Sequence, residues 1–282
     1  WAMAGRSLSK LTQVRDEMGL PSDTPLVIAD ASTPATLIDM CKRTRVVLTT
    51  VGPYQLYGPE LVAACAETGT DYVDLCGEPA WMREMIDAHD DTAKASRARI
   101  VFACGFDSIP FGLGVWILQQ EAIKTHRKPA PRVKGRVRKM QGGASGGTVA
   151  SGLNVYREAA KDPALQAELR DSYSLCPQGH DFTLRQPSVG VEYDDDMKSW
   201  AGPFIMATIN TRIVLRSNAL WPNHYSNNFL YDEALLLGDG EKGHKAAKKL
   251  AFGMKWGMTA MAIARKTKHA EIEFLLTKAG GK

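Results

Sequence analysis

The sequence predicts an α/β protein whose first part contains a parallel sheet. Up to about residue 116, short apolar segments alternate with segments of helical period, and Gly, Pro and Asp residues separate them. This alternation implies parallel strands joined by right-handed crossovers. Because the composition changes after Trp116, two domains are predicted, over residues 1–116 and 117–282.

Local patterns place the elements of the first domain. Apolar and β-branched clusters predict strands at Trp1–Gly5, Pro25–Ala29, Val46–Val51, Asp71–Cys76 and Arg99–Cys104. Helical spacing with Gly or Pro at the ends predicts helices at Leu8–Met18, Pro34–Arg43, Gly58–Gly69 and Pro79–Ala98. This order is typical of a Rossmann-type dinucleotide-binding domain.

The first strand and the glycine-rich loop of such a domain are not found in the sequence. In the strand order 3-2-1-4-5-6, the first strand lies at the centre of the sheet, between the strands predicted here at Trp1–Gly5 and Val46–Thr50. We therefore expect these two strands to have no partner between them. We interpret the chain as a piece of a longer protein, because the missing loop is the one that cradles a pyrophosphate.

The second domain is predicted to be α+β. Lys124–Lys139 contains eight Lys or Arg residues and no acid, and Val133–Met140 alternates polar and apolar residues like a strand with one wet face. Phe204–Ser217 is predicted to form one or two strands. The remaining predictions are a strand at Phe229–Leu237, helices at Thr148–Ala160 and Gly243–Lys266, and a loop-rich segment at Asp162–Asp196.

Composition and charge restrict the classes of function. The hydrophobic content of 44% and charged content of 23% are those of a soluble globular protein, and a net charge of +4 is too small to indicate a nucleic-acid-binding protein. The five cysteines include no C-x-x-C pair and the six histidines show no metal spacing. We therefore expect no metal site and a reducing, cytoplasmic environment.

Two segments after Trp116 have compositions that suggest ligands. Gly142–Thr148 resembles a phosphate loop but lacks its Gly-Lys-Ser/Thr ending, and a flexible turn is the simpler interpretation. Residues 243–268 form a basic helical segment with an apolar stretch too short to span a bilayer. Such a helix either lies on an anionic membrane or lipid surface or packs on a substrate domain.

Arg6 is the most informative candidate for cofactor binding. In a dinucleotide-binding fold, the end of the second strand faces the adenosine ribose, where an acidic residue selects NAD and a basic residue pairs with the 2′-phosphate of NADP. Arg6 and Ser7 hold this place, and Asp30 ends the next strand, where a carboxylate can contact the adenine. The alternatives are a surface arginine, a serine N-cap and a turn aspartate.

Two further turns follow strands at the same edge of the sheet. Thr50, Val51, Gly52, Pro53 and Tyr54 end the Val46 strand beside the point where the strand order reverses, and ligands bind at that edge in open α/β sheets. Tyr54 is the candidate proton donor, although most tyrosines serve in packing.

The last predicted strand of the first domain ends in the turn Cys104–Pro110. Within it, Gly105, Phe106 and Asp107 are candidate contacts to the nicotinamide. The structural alternative is that Asp107 or Ser108 caps the helix that starts near Pro110.

Together, these residues resemble the saccharopine dehydrogenase-like oxidoreductase family. The matching blocks are Ala4–Ser7, Val46–Gly58 (VVLTTVGPYQLYG), Gly69–Glu78, Ala103–Pro110 (ACGFDSIP) and Asn210–Ala219. Within that family, the chain is similar to the trans-acting enoyl reductases of bacterial cell-wall lipid synthesis and to animal lipid-droplet relatives. The family's amino-terminal G-A-T-G-F-type loop is missing here, and the family usually continues past Lys282.

The resemblance implies an NADP(H)-binding Rossmann domain followed by a substrate domain with a mixed sheet. It implies an NADP(H)-dependent oxidoreductase that reduces a lipid-linked or acyl substrate. The expected location is the cytoplasm, with the segment 243–268 as the candidate contact to a membrane or lipid surface, and a homodimer is one candidate assembly. Two alternatives stay open. One is a saccharopine-type amino-acid dehydrogenase, for which Arg212 and Arg216 would bind substrate carboxylates. The other is a non-enzymatic lipid-associated binding protein.

Overall fold

The computed structural model describes residues 1–106, 108–140, 162–221 and 225–266. The chain divides into two compact units. The first contains residues 1–76 and 81–104, and the second contains residues 77–80 and those from 105 onward. The boundary expected at residue 116 falls inside a helix that belongs to the second unit.

The first unit alternates strands and helices, as the sequence predicts. Its strands are β1 Met3–Gly5, β2 Leu26–Ile28, β3 Val46–Thr49, β4 Asp71–Asp74 and β5 Ile100–Val101. Its helices are α1 Leu8–Glu17, α2 Pro34–Cys41, α3 Tyr54–Tyr57, α4 Pro59–Thr68 and α5 Pro79–Ser96. All of the strand pairs in this unit are parallel, which confirms the α/β class.

The parallel strands of this unit form two separate sheets. One has the order β1-β2 and the other has the order β3-β4-β5. The strands β1 and β3 therefore do not pair with each other, as the sequence predicts. The register aligns Gly5 with Ile28 and Thr49 with Asp74, so the carboxyl ends of paired strands lie at one edge of each sheet.

Local signals set the ends of the helices. Ser7 is the N-cap of α1, and its hydroxyl accepts the backbone N–H of Lys10 at 3.4 Å. Gly69 ends α4 in the left-handed conformation, with φ of 73°, and a Cβ there would stand 2.9 Å from the carbonyl oxygen of Ser96. Glycine is therefore required at that turn for both its conformation and its small size.

The second unit is built on a four-stranded sheet. Its elements are α6 Ile109–His126, β6 Arg132–Val137, α7 Pro163–Arg170, β7 Glu192–Asp194, β8 Ser199–Pro203, α8 Ala207–Leu220, β9 Leu230–Leu236 and α9 Gly240–Lys266. The strand order is β6-β9-β8-β7, with β6 parallel to β9 and the other pairs antiparallel. The mixed sheet expected for the second domain is therefore present.

The core of this unit lies between the β6–β9 pair and the helices α6 and α8. The buried apolar cluster there consists of Val115, Val133, Tyr173, Cys176, Val214, Leu215, Tyr225, Phe229 and Tyr231. The helix α9 packs on β8, where a Cβ at Gly202 would lie 3.1 Å from Leu250. Because Gly202 pairs with Leu235, this contact lies on the same face of the sheet as Tyr231.

One element prediction for this unit is wrong. Residues 204–217 were predicted as one or two strands, but they lead into and form most of helix α8. The buried residues of α8 are Ile209, Asn210, Arg212, Val214, Leu215 and Asn218. At about 100° per residue they lie around most of the helix rather than on one face. The β-branched residues of the segment favour a strand locally, but packing against the sheet overrides that preference.

Some sequence predictions fall outside the described residues. They are the Gly142–Thr148 turn, the helix at Thr148–Ala160, Asp107 and the last two residues of the basic segment 243–268. Among the helices that the structure describes, none combines the length and the apolar character needed to cross a membrane.

Candidate functional site

The carboxyl ends of β1 and β2 bring three of the predicted cofactor residues to one edge. Arg6 and Ser7 follow β1 directly, and Asp30 follows β2, to which β1 is joined by a bond from the Ala29 N–H to the Gly5 carbonyl at 3.1 Å. Arg6 is exposed, and its guanidinium forms no salt bridge within the described part of the chain. A cation at this edge is therefore accessible to an anionic ligand.

Asp30 is already engaged by its own turn. Its carboxylate accepts the backbone N–H of Ser32 at 2.9 Å and the Ser32 hydroxyl at 2.8 Å. These bonds, together with the positive charge of Arg6, hold the pKa of Asp30 below its ordinary value. The carboxylate is therefore ionised at neutral pH, where its negative charge interacts with the positive charge of Arg6. Its bonds to Ser32 also shape the turn.

The end of β3 lies at the corresponding edge of the other sheet, β3-β4-β5. The Thr49 hydroxyl accepts the N–H of Val51 at 3.2 Å, and Val51 is 55% exposed, whereas Thr50 is exposed and Gly52 and Pro53 are half-buried. A small backbone turn with an exposed valine offers both a close approach and an apolar contact to a flat ring.

Tyr54 lies beneath this turn rather than on it. It is only 5% exposed, and its hydroxyl donates to the Thr49 carbonyl at 3.3 Å and accepts the N–H of Leu75 at 3.4 Å. Its ring packs on Trp81 with centroids 5.6 Å apart. The hydroxyl thus links the ends of β3 and β4, so the structure favours the packing alternative for this tyrosine.

Asp74 is a residue of this edge that the sequence pattern did not single out. It is 2% exposed, and its Oδ1 accepts the N–H groups of Cys76 at 3.0 Å and Ala103 at 2.8 Å. Its Oδ2 accepts the Tyr72 hydroxyl at 2.8 Å, and burial together with this carboxylate raises the pKa of Tyr72. Asp74 thereby fastens the ends of β4 and β5 together. An aspartate within the otherwise apolar run Tyr72–Cys76 was the available signal.

The end of β5 holds Cys104 in a protonated state. Burial first, and then the negative charge of Asp74, raise the pKa of the Cys104 thiol. Ala103 beside it has φ of 57°, an uncommon conformation for a residue with a Cβ. Because a thiol with a raised pKa is a poor nucleophile, the structure gives no support to a nucleophilic role for this cysteine.

Gly105 and Phe106 belong to the second unit, where they precede α6. Gly105 is half-buried and its carbonyl accepts the N–H of Ile109 at 3.1 Å, whereas Phe106 is 59% exposed. The residue before α6, Ser108, does not cap the helix with its side chain, contrary to one structural alternative. Its hydroxyl instead donates to Oδ1 of Asn210 at 2.9 Å.

The basic stretch on β6 is used in ion pairs within the second unit. Arg136, whose side chain is 5% exposed, donates to Asp194 at 2.6 Å and to Asp232 at 2.7 Å. Arg132 pairs with the other oxygen of Asp232 at 2.6 Å. The solvent-facing side predicted for β6 is therefore partly covered by acidic residues of other strands. Arg132 and Arg136 are paired there and do not form a free basic patch.

The two arginines considered for substrate carboxylates also have internal partners. Arg212 is buried and donates to the Ser174 hydroxyl at 3.0 Å and to the carbonyls of Thr208 and Leu169 at 2.6 and 2.7 Å. Arg216 donates to the carbonyl of Leu175 at 2.6 Å. Burial lowers the pKa of Arg212, and both guanidinium groups hold backbone carbonyls of the segment between β6 and β7.

A cavity of about 350 Å³ lies at the opposite edge of the β3-β4-β5 sheet, by the strands' amino ends. Its charged lining consists of Lys42, Arg45, Asp71, Arg97 and Arg99, and Arg99 pairs with Asp71. Ligands of open parallel sheets bind at the carboxyl ends. This cavity is therefore not the predicted cofactor site.

Comparison with known proteins defines the class of the first unit. Residues 1–101 match the family described as the saccharopine dehydrogenase NADP binding domain. This match confirms the resemblance, the Rossmann-type fold and NADP(H) as the cofactor of the domain.

Most of the chain is similar to mycobacterial proteins named trans-acting enoyl reductase. It is 43% identical over 250 residues to the one from Mycobacterium ulcerans and 41% identical over 250 residues to the one from Mycobacterium leprae. It is 42% identical over 249 residues to the one from Mycobacterium bovis. These matches cover 84% of this chain and 59% of each relative, so the chain spans about three fifths of the curated relatives' length.

The residues of the described edge fit an NADP-type nucleotide. Arg6 offers an exposed cation where a 2′-phosphate would be placed, and Ser7 offers a hydroxyl beside it. The first turn of α1 contains no acid that would oppose an anion. An acidic residue at the end of β1 would instead favour NAD, so the side-chain chemistry agrees with the family match.

Proposed function

We propose that the protein is an NADP(H)-dependent oxidoreductase that reduces a lipid-linked or acyl substrate, with the first unit holding the nucleotide and the second taking the substrate. The observation that carries the proposal is the exposed guanidinium of Arg6 at the carboxyl end of β1, in a domain of the NADP-binding class. The names of the mycobacterial relatives support reduction of an enoyl group.

The chain's own residues would bind and orient the nucleotide. Arg6 and Ser7 would hold the 2′-phosphate, Asp30 the adenine side, and the turn Thr50–Tyr54 the ribose and ring nearest β3. The residues before α6, Gly105 to Asp107, are the proposed contacts to the nicotinamide. When bound, the cofactor supplies a hydride, and the protein's task is to place the substrate carbon against it and to exclude water.

A titration with NADPH and NADH, followed by nucleotide fluorescence, tests the cofactor part of the proposal in the full-length protein. We expect NADPH to bind more tightly, and Arg6→Ala to weaken NADPH binding about tenfold or more, because a charge-assisted pair to the 2′-phosphate is lost. Arg43→Ala is the matched control, since Arg43 is an exposed arginine outside the strand ends. Equal affinity for both nucleotides would contradict the proposed role of Arg6.

Consumption of NADPH with enoyl and keto acyl thioesters tests the substrate class. Turnover of the enoyl substrates would support an enoyl reductase activity in this protein. No consumption of NADPH with either series would count against it. The amino-acid dehydrogenase alternative has little support, because Arg212 and Arg216 donate to backbone carbonyls. A free amino-acid substrate needs other cations for its carboxylates.

Contact with a lipid surface is a second proposal, carried by the exposed end of the described part of α9. Ala247 is fully buried, so the start of this helix packs on the protein, but Phe252 is 69% exposed. Co-sedimentation with anionic vesicles should decrease in Phe252→Asp, whereas Met18→Asp, a change at a similarly exposed residue that caps the end of α1, should have no effect. A proposed homodimer is tested by sedimentation velocity of the same samples.

A further inference from the structure

A chain of hydrogen bonds runs through the core of the second unit, from the residue before α6 to the sheet. The Ser108 hydroxyl donates to Oδ1 of Asn210 at 2.9 Å, and Nδ2 of Asn210 donates to Oε2 of Glu233 at 2.9 Å. The Tyr231 hydroxyl donates to the other oxygen, Oε1, at 2.5 Å. Each of the four residues is 2% exposed or less, so this polar chain is closed off from solvent.

Burial of a carboxyl at this position has an unfavourable free energy of desolvation. Apolar side chains of similar volume usually give an equally stable or more stable core than a buried polar group with its desolvation cost. Tyr231, one member of the chain, belongs to the apolar cluster itself. Burial raises the pKa of Glu233 to about 7, with Asp232 adding to the rise and the bonds from Tyr231 and Asn210 opposing it.

The neighbouring strand is shaped to admit this carboxyl. Gly135 lies opposite Glu233 in the β6–β9 pair, and a Cβ there would stand 2.9 Å from Cγ of Glu233 and 3.1 Å from the Tyr231 hydroxyl. Only glycine leaves that space open. The absence of a side chain at Gly135 therefore leaves room in the sheet for the Glu233 carboxyl and the Tyr231 hydroxyl.

The other end of the chain holds the start of α6. Ser108 stands at the N-cap position, where a serine ordinarily accepts a helix N–H, but its hydroxyl is directed to Asn210 on α8 instead. The backbone carbonyls of Gly105 and Ser108 accept the N–H groups of Ile109 and Gly112 at 3.1 and 2.8 Å. Fixing the Ser108 side chain therefore fixes the orientation of the residues just before the helix.

We propose that Asn210 and Glu233 are positioning residues that act through the Ser108 hydroxyl to hold Gly105 and Phe106 in the conformation required by the nicotinamide half of the nucleotide. This role rests on the proposed function, because it takes the residues before α6 as contacts to that half. It predicts that the hydrogen-bonded residues affect binding of the nicotinamide half of the nucleotide and not binding of the adenosine half.

Calorimetric titration of the full-length protein with two ligands tests the proposal. NADPH carries both halves, whereas adenosine 2′,5′-bisphosphate carries only the phosphorylated adenosine half. We expect Ser108→Ala and Glu233→Met to weaken NADPH binding about tenfold, the effect of one lost hydrogen bond in a buried chain, and to leave the bisphosphate within about twofold. Glu233→Gln keeps an acceptor for Asn210 and should stay within about threefold for NADPH.

Ser199→Ala is the matched control, because it removes another buried serine hydroxyl from the same unit. It should leave both affinities unchanged. Equal losses for NADPH and the bisphosphate would mean that the chain only stabilises the fold, and the positioning role would be overturned.

The same titration separates this role from the proposed function. If the parent binds NADPH and the Ser108 and Glu233 variants bind it equally well, the positioning role alone fails. If the parent binds neither ligand, the proposed function fails and the positioning role fails with it.

Discussion

Glu233 should make the stability of the protein fall as the pH rises from 5 to 8. Its pKa is about 7 in the folded protein, because burial disfavours the ionised form, and the ordinary value is 4.5. Between these two values the unfolded chain has released its proton while the folded chain still holds it. The stabilising contribution is therefore fully present below pH 4.5 and is lost as the pH rises through 7.

The magnitude follows from the difference between the two pKa values. A shift of this size corresponds to about 3 kcal/mol in total, of which about 2.5 kcal/mol falls between pH 5 and pH 8. Urea unfolding of the parent and of Glu233→Gln at both pH values measures it. The parent should lose about 2.5 kcal/mol more than the variant, because glutamine does not titrate and the other groups cancel in the comparison.

Glu192→Gln supplies the control, since Glu192 is an exposed glutamate on β7 of the same sheet. It should follow the parent at both pH values. If the parent and Glu233→Gln lose stability in parallel, to within about 0.5 kcal/mol, the buried carboxyl does not hold its proton near neutral pH and the reasoning is refuted.

Three further substitutions test two close contacts at glycines and one buried hydroxyl. Gly58→Ala should destabilise the protein by about 2 kcal/mol or more, because its Cβ would meet Trp81 at 2.5 Å and the Tyr54 carbonyl at 2.7 Å. Gly135→Ala should cost about 1–3 kcal/mol, since Glu233 must move from its place. Tyr54→Phe should cost about 1 kcal/mol and keep the ring packing, because only the bonds of the hydroxyl are lost. Urea midpoints measure all three.

Matched controls exist for these changes. Gly77 and Gly190 have open space where a Cβ would stand, so Gly77→Ala and Gly190→Ala should change stability by about 0.5 kcal/mol or less. If they destabilise as much as Gly58→Ala or Gly135→Ala, the losses come from the backbone rather than from the contacts. A Tyr54→Phe variant that is as stable as the parent would show that the hydroxyl does not link β3 to β4.

Much of the first unit follows from local sequence. Ser7 caps α1, Gly69 ends α4 in a left-handed conformation, and Pro34 begins α2, as the sequence predicts. These signals act within a few residues, so no tertiary contact is needed to detect them. Arg6 is also accessible to sequence reasoning, because the carboxyl ends of parallel strands meet at one edge.

The second unit shows where local reasoning stops. The segment that became α8 contains β-branched residues that favour a strand, but the burial of Val214 and Leu215 in the core of the unit outweighs that local preference. The role assigned to Tyr54 stays a prediction, and its hydroxyl is bonded to two backbone groups that no local pattern identifies.

The sequence alone determined the alternating order of the first unit, its family and the basic end of β1, because hydrophobic period, turn residues and motif blocks are local properties. Only the tertiary structure decided which buried polar groups meet. Ser108 and Asn210 are 102 residues apart in sequence, and Asn210 and Glu233 are 23 apart. Their contact depends on how α8 packs against β9, and the energy of a buried hydrogen bond is set by that packing rather than by any neighbouring residue.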